Sequence, residues 1–351
     1  MENEYIRQDT SMIPTKKMLP MLILDILRKY TDGDHTLDQK DILEKLRTEY
    51  DLQVERKAVR RNIEELIDMG FPIEYTEKPR EGNVIWTDFW IDHEFTDAEL
   101  RLLIDGLLFS KHVPYSQCKE LVAKLEGLSN EYFKSYVSHI KTLPDAGTAN
   151  QQIFHTIAVL DEAISMERQV SFHYVNYGTD KKLHPKLDEN GKPREYIINP
   201  YQMVAQDGKY YLICNYDRYD DVSNYRLDRI ADIKILDTRR KPFSKLSDSD
   251  GNRLNLGEYM KRHIYMYSSE DVRVKFSITP AMITDIIDFF GKEVSFEEET
   301  DTFVTVSAKV TKDAMIQFAK AHAPDVVILE PQSLVDEMRE WAENVRKVYS
   351  K

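Results

Sequence analysis

The chain has 351 residues, of which 42% are hydrophobic and 31% are charged, and its formal net charge is −13 at pH 7. This composition is typical of a folded protein of two or three domains, and no apolar run approaches the ~20 residues that a membrane span needs. Two cysteines, Cys118 and Cys214, fit no zinc or redox spacing, and the N-terminus has no apolar signal segment, so we expect a cytoplasmic protein. The acidic balance excludes a generally basic surface, and any contact with nucleic acid must come from a local group of cations.

Residues 14–92 have the pattern of three helices followed by a hairpin. Apolar residues at helical spacing predict helices over Pro20–Tyr30, Leu37–Tyr50 and Glu55–Met69. Gly70 ends the third helix. Two β-rich runs, Ile73–Tyr75 and Val84–Trp86, then predict a hairpin joined by residues 78–83. This order is typical of a winged helix-turn-helix, a DNA-binding domain.

In the third predicted helix the basic residues lie in the first turns and the acidic residues lie in the last turns. A helical projection places Val59, Ile63 and Leu66 inward and the charged residues outward. Cations in the first turns and acids in the last oppose the helix macrodipole, at ~0.3–1 kcal/mol per group, which indicates that these residues serve another purpose. The simpler alternative is a solvated face with pairs within the helix. We predict DNA contacts from the helix and from the hairpin tip, made by Arg56, Lys57, Arg60, Arg61, Lys78 and Arg80.

Within the predicted DNA-binding domain, residues 14–80 hold thirteen Lys and Arg against fourteen Asp and Glu. Few phosphate contacts are therefore available to one copy. We expect a homodimer that binds a double-stranded operator with two half-sites.

Residues 93–147 predict a helical connector. Thr96 and Glu99 form a capping box at the start of its first helix. An apolar stripe follows, which we expect to be core or a subunit contact: Leu100, Leu103, Ile104, Leu107 and Leu108. Further helices are predicted over Cys118–Leu128 and Tyr132–Ile140, and turn-forming residues 144–148 mark a boundary.

Residues 148–240 predict one helix, Asn150–Met166, followed by a run of short strands. Val170–Tyr174 opens the sheet, and five further strands are predicted over Tyr196–Ile198, Met203–Ala205, Tyr210–Asn215, Tyr225–Leu227 and Ile233–Leu236. Asp207-Gly208 separates two of them and is a strong hairpin signal, since both positions favour a positive φ. Such an arrangement suits a small, partly open barrel.

Aromatic and arginine side chains meet in this part of the chain. Tyr210 and Tyr211 alternate along one strand, so one of them faces the core, and the sequence leaves open which. Arg226 and Arg229 follow and could bind an anion beside these rings. If strand alternation continues through both arginines, they face opposite ways. The simpler alternative is that both arginines pair with Asp228 and its neighbours.

Two motifs carry a family resemblance: Gly208-Lys209-Tyr210-Tyr211-Leu212 and Tyr225-Arg226-Leu227-Asp228-Arg229-Ile230. They resemble the signature of WYL-domain transcription regulators of bacteria, with Tyr210 at the position of the tryptophan. The run Val54–Ile63 similarly resembles the recognition helix of that family. The resemblance implies an Sm-like barrel that senses a nucleotide or single-stranded nucleic acid. The implied ligand-binding residues are His173, Tyr174, Tyr210, Tyr211, Arg226 and Arg229.

After a linker over residues 241–270, residues 271–351 show the order β-α-β-β-α-β-α. This order predicts a ferredoxin-like α+β domain. It resembles the C-terminal extension of WYL regulators. The whole chain is therefore expected to be an α+β multidomain protein.

No sequence motif indicates an enzyme, and no catalytic residue, metal site or cofactor is predicted. His173, His184 and Asp188 lie near one another in the chain, but scattered histidines of this kind are far more often loop or sheet residues than ligands. We expect a DNA-binding regulator controlled by an anionic ligand. The alternative is an accessory subunit of a nucleic-acid defence or repair assembly that has no operator specificity.

Overall fold

The structure, a computed structural model, describes residues 15–80, 82–110, 112–136, 149–246 and 254–350. Along these residues the chain is a mixed α+β protein with three sheets. It divides into two compact units: residues 1–110 with 115–146, and residues 111–114 with 147–351. Within the described part, no helix combines the length and apolar character that crossing a bilayer requires. The finer division into five parts stays a prediction.

The first unit begins with three helices and a two-stranded antiparallel sheet, which confirms the predicted order of elements. They are α1 (Leu19–Tyr30), α2 (Gln39–Tyr50), α3 (Arg56–Asp68), β1 (Ile73–Arg80) and β2 (Asn83–Ile91). α2 begins after Asp38, whose carboxylate accepts hydrogen bonds from the first-turn backbone and so caps the helix. Each element contributes buried side chains to one core, among them Ile23, Leu46, Ile63, Ile73 and Phe89.

The hairpin is longer than the sequence predicts. The expected connection over residues 78–83 is wrong, because β1 continues to Arg80 and β2 begins at Asn83. Pro79 lies opposite Val84 in this extension. A two-stranded sheet tolerates proline there because each strand keeps one edge outside the ladder. Lys78 and Arg80 are therefore strand residues.

The first unit contains three further described helices, α4 (Asp97–Phe109), α5 (Tyr115–Glu126) and α6 (Glu131–Tyr136). The predicted capping box of Thr96 and Glu99 is confirmed. The apolar stripe is only partly buried: Leu100 and Ile104 are fully enclosed, whereas Leu103, at the margin of the stripe, is 46% exposed. The predicted end of the last helix and the boundary at residues 144–148 lie outside the described residues.

The second unit opens with one helix packed on a six-stranded antiparallel sheet. Its elements are α7 (Ile153–Ser165), β3 (Arg168–Tyr177), β4 (Leu183–Pro185), β5 (Glu195–Gln206), β6 (Lys209–Asn215), β7 (Ser223–Arg226) and β8 (Ile230–Arg239). The order is β4-β3-β5-β6-β7, and β8 pairs with β3. Within the described residues β7 and β8 do not pair, so the sheet does not close into a barrel.

Two of the predicted strands, Tyr196–Ile198 and Met203–Ala205, are one strand. β5 pairs first with β3 and then with β6, and its register shifts between Pro200 and Gln202. The proline and this bulge let one strand bend between two partners. The predicted turn after it is confirmed, with φ of 49° at Asp207 and 68° at Gly208.

The last part of the second unit is a four-stranded antiparallel sheet with helices. Its elements are α8 (Leu256–Arg262), β9 (Asp271–Ile278), α9 (Ile283–Phe290), β10 (Ser295–Glu299), β11 (Val304–Thr311), α10 (Lys312–Ala321), β12 (Val326–Glu330) and α11 (Gln332–Tyr349). The strand order is β10-β11-β9-β12. The core between sheet and helices includes Phe276, Phe290 and Phe318. The element order predicted from the sequence is confirmed here.

Candidate nucleic-acid interface and ligand site

α3 is amphipathic, and its charged side faces away from the core. Val59, Asn62, Ile63 and Leu66 are buried, while Lys57 and Arg61 are exposed on the opposite side. The first turn has no acidic residue and the last turn no basic residue, which is the charge order that the sequence indicates. An α-helix with this shape can present its N-terminal turns to a DNA groove.

Two of the four helix cations donate hydrogen bonds to other side chains of the protein. Arg56 donates from Nε to Oε1 of Gln39 at 2.6 Å, which ties the start of α3 to α2. Arg60 donates from Nε to Glu64 at 2.9 Å, and its guanidinium lies 5.5 Å from the centre of the Trp86 ring. Arg60 is thus held between its own helix and the hairpin.

Arg61 and Lys57 are held less tightly by the protein than Arg56 and Arg60 are. The Arg61 side chain is 73% exposed and lies 3.6 Å from the carboxylate of Glu65. Lys57 is exposed, and along the described ranges it forms no ion pair. Exposed ion pairs contribute only about 0–1 kcal/mol, so a phosphate can replace Glu65 as the partner of Arg61 at little cost.

On the hairpin, the two predicted cations differ. Lys78 forms an ion pair with Asp88 at 2.7 Å, across the sheet. Arg80 lies at the end of β1, opposite Asn83, and is exposed. Trp86 stacks on Tyr75 with ring centres 4.0 Å apart. The sequence prediction treats Trp86 only as a strand residue, although an aromatic residue on a short wing is a signal that could have marked it.

The second candidate site surrounds Tyr174 on β3. This tyrosine is 9% exposed, and its ring meets Tyr225 edge-on at 5.0 Å. The phenol oxygen accepts a hydrogen bond from the backbone N–H of Arg226 at 3.3 Å. Burial raises the pKa of Tyr174, and Arg229 is the charge that most opposes this rise. Tyr174 is therefore neutral and adjacent to both arginines.

Arg226 makes a two-point ion pair with Asp228. Its Nε and Nη2 donate to the two carboxylate oxygens at 3.0 and 2.7 Å, and Asp228 is only 1% exposed. Burial alone would lower the pKa of Arg226, but the hydrogen bond and charge of Asp228 raise it. The simpler alternative from the sequence, pairing with Asp228, holds for Arg226.

Arg229 is placed differently from what strand alternation implies. Leu227–Arg229 form one turn of 3-10 helix between β7 and β8, so alternating faces do not apply. Arg229 donates from Nη1 to Oδ1 of Asn176 at 3.3 Å. Its Nε is buried with no hydrogen-bond partner, and within the described part of the chain it forms no ion pair.

Tyr211, rather than Tyr210, lies with the arginines. Tyr211 is opposite Arg226 in the β6–β7 ladder. Burial raises its pKa, and Arg226 opposes that effect. Tyr210 faces the other side, where it packs on the core beneath α7 and lies 5.4 Å from the ring of His112.

His173 is also outside this group. It neighbours Tyr174 on β3 and so points to the opposite face of the sheet, where its Nδ1 is 3.2 Å from the carbonyl oxygen of Arg194. Of the six predicted ligand residues, the structure brings together four: Tyr174, Tyr211, Arg226 and Arg229. We call these four the aromatic–arginine cluster.

The sequence prediction did not name three residues that lie beside the cluster as site residues. Asn176 shares the strand face of Tyr174, Asp228 is the buried counter-ion, and Lys186 lies with its ammonium 5.5 Å from the Tyr174 ring centre. The two-residue spacing of Tyr174 and Asn176 was a readable signal for the first. Lys186 directly follows β4, which pairs with β3, and the sequence prediction did not single it out.

Comparison with known families identifies one part of this unit. Residues 155–235 match the WYL domain. The WYL range contains the whole aromatic–arginine cluster, and the resemblance read from the two motifs is confirmed over that range. Residues 270–345 match the WCX domain, the part for which the sequence resembles a WYL C-terminal extension. Neither match covers half of the chain.

Similar solved structures add little. One is proteasome accessory factor B/C (PafBC) of Arthrobacter aurescens, with 16% identity over 96% of this chain and 49% of that one, at a TM-score of 0.29. This chain thus spans about half of its length. Another, a CRISPR Cas-related protein, has 15% identity over 95% of this chain and 85% of that one, at a TM-score of 0.37. Scores this low establish neither a shared fold nor a function. A comparison with curated proteins finds no match.

Proposed function

We propose that this chain is a DNA-binding transcription regulator controlled by an anionic ligand at its WYL domain. In this proposal residues 14–92 are a winged helix-turn-helix, and residues 148–240 are a partly open Sm-like barrel. Residues 271–351 are a ferredoxin-like extension, which the strand order β10-β11-β9-β12 supports.

The observation that carries the DNA-binding part is the exposed charged side of α3. Lys57, Arg60 and Arg61 lie in its first two turns and remain accessible, with side-chain exposures of 43% for Arg60 and 73% for Arg61. The adjacent hairpin adds the exposed Arg80. A helix with a neighbouring wing is a known way to read a major groove while contacting the flanking backbone.

The acidic residues of the same helix limit the affinity of one copy. Glu64, Glu65 and Asp68 occupy the outward side of the later turns, where they repel phosphate. A homodimer doubles the few favourable contacts and makes the operator a pair of half-sites. Sedimentation of the free protein and of its DNA complex tests this part, and a monomer in both states contradicts it.

The ligand-binding part rests on the aromatic–arginine cluster. Partly buried tyrosines beside guanidinium groups suit a planar anion such as a nucleotide or a single-stranded nucleic acid. To regulate, the ligand must bind one arrangement of the chain more tightly than another, since equal affinity shifts no equilibrium.

DNA footprinting upstream of the protein's own gene tests the proposal as a whole. A regulator protects a near-palindromic segment, and a ligand of the WYL domain changes that protection. If the protein protects no segment and instead co-purifies with a nucleic-acid-processing assembly, the alternative of an accessory subunit replaces this proposal.

A further inference from the structure

Only one of the two arginines in the aromatic–arginine cluster has a positive charge that no carboxylate of the described residues neutralises. Arg226 is bound at two points by a carboxylate that is 1% exposed, so the pair is neutral as a unit. Arg229 has an amide, Asn176, as its partner and no carboxylate among the described residues. Amide oxygens orient a guanidinium without neutralising it.

A second cation lies beside the same tyrosine. The backbone N–H of Lys186 donates to the carbonyl oxygen of Tyr174 at 2.8 Å, which fixes this residue alongside β3. Its side-chain ammonium lies 5.5 Å from the centre of the Tyr174 ring. Lys186 is exposed, and it forms no ion pair with any residue that the structure describes.

From this geometry we infer that Arg229 and Lys186, both beside Tyr174, form the subsite for a phosphate ester. Arg226 is a positioning residue: its guanidinium holds Asp228, and its backbone N–H holds the Tyr174 hydroxyl. The inference rests on the proposed ligand-sensing function and assigns the charge recognition within it. Among the described residues Asn176 is the hydrogen-bond partner of the Arg229 guanidinium and the buried Nε has none, so no carboxylate of this part of the chain neutralises the charge of Arg229.

The chemistry of the subsite explains why two cations are needed. A phosphate ester oxygen accepts charge-assisted hydrogen bonds, and guanidinium and ammonium groups are the usual protein donors. Tyr174 is buried and neutral, so its ring supplies a face next to the phosphate rather than a competing charge. The neutral Arg226–Asp228 pair contributes to the shape of the subsite, but it attracts a phosphate little because it carries no net charge.

Fluorescence anisotropy with a labelled single-stranded oligothymidylate, at several salt concentrations, tests the inference in the full-length protein. Each lost phosphate contact lowers the slope of log affinity against log salt by about 0.7 for single strands. Arg229→Gln and Lys186→Gln are each expected to reduce affinity about tenfold or more and to lower this slope. Lys192→Gln is the matched control, because Lys192 is an exposed lysine of the same β4–β5 connection.

The double change Arg226→Gln with Asp228→Asn removes the neutral pair without leaving a buried charge. We expect it to keep the wild-type salt slope whatever its affinity, because no net charge is removed. A lowered slope for this double variant, or unchanged slopes for Arg229→Gln and Lys186→Gln, overturns the assignment. Thermal melting of each variant verifies that it is folded.

Competition with adenosine monophosphate distinguishes the source of the phosphate. Displacement of the oligothymidylate identifies a mononucleotide phosphate as sufficient, and no displacement identifies a nucleic-acid backbone. If the wild-type protein binds neither probe, the sensing function itself fails. If the wild-type protein binds the oligothymidylate and the Arg229 and Lys186 variants bind it with the same affinity and salt slope, only the assignment of the subsite is wrong.

Discussion

Replacing Arg60 and Arg61 together with alanine tests whether α3 reads DNA. The side chains of Arg60 and Arg61 are 43% and 73% exposed, and their ion-pair partners are Glu64 at 2.9 Å and Glu65 at 3.6 Å on the same helix. The Arg60 guanidinium also lies 5.5 Å from the centre of the Trp86 ring. Exposed pairs of this kind contribute about 0–1 kcal/mol, and alanine favours helix formation. The free energy of unfolding should therefore change by less than about 1 kcal/mol.

The effect on DNA binding should be much larger. A side chain that reads a base edge is worth about 1–3 kcal/mol. Two such losses per protomer amount to roughly 2–6 kcal/mol, or a decrease in affinity of about thirtyfold to more than ten-thousandfold for each protomer. If the contacts are instead to phosphates, the salt slope should fall by about two per protomer.

Anisotropy on a duplex from the footprinted region measures both quantities. Arg47→Ala is the matched control, because Arg47 is an exposed arginine on α2 rather than on α3. Wild-type affinity and salt slope in a folded double variant would refute the assignment of α3 as the DNA-reading helix.

Three further outcomes follow from the described contacts. Glu64→Gln should tighten non-specific DNA binding severalfold at low salt, because it removes a negative charge from the α3 surface; an unchanged affinity in anisotropy would argue that this surface is not near phosphate. Asn130→Ala should destabilise the first unit by about 2–4 kcal/mol in urea unfolding, because its amide caps α6 and holds the α1–α2 connection, whereas Asn190→Ala, at an exposed turn, should have little effect. Burial alone would raise the pKa of Asp271, but hydrogen bonds and charge from Arg262 and Lys309 hold it below its usual value. The ionised carboxylate therefore stabilises the fold at pH values above its unfolded pKa. At such pH values the Tm of Asp271→Asn should be lower than that of wild type, and the difference should vanish as the pH falls through the depressed pKa of the folded state. A difference in Tm that is constant with pH would contradict the ion-pair explanation.

Most of the secondary structure was readable from the sequence because local signals agree with the tertiary fold. Periodic apolar residues define α3, a capping box starts α4, and Asp207-Gly208 supplies the positive φ values of the β5–β6 turn. The errors occur where packing overrides local signals. Pro79 suggests a loop but lies in a two-stranded ladder, and Pro200 suggests a strand end but lies at a bulge.

By itself, the sequence determined which residue types could meet a polyanion and where the two WYL-like motifs lie, at residues 208–212 and 225–230. Only the tertiary structure decided which of them meet. Tyr211 lies with Arg226 because of the β6–β7 register, and Lys186 lies beside Tyr174 because the backbone of Lys186 continues the pairing of β4 with β3. Asp228 neutralises Arg226 because burial and two-point geometry make that pair strong, and linear spacing carries neither quantity.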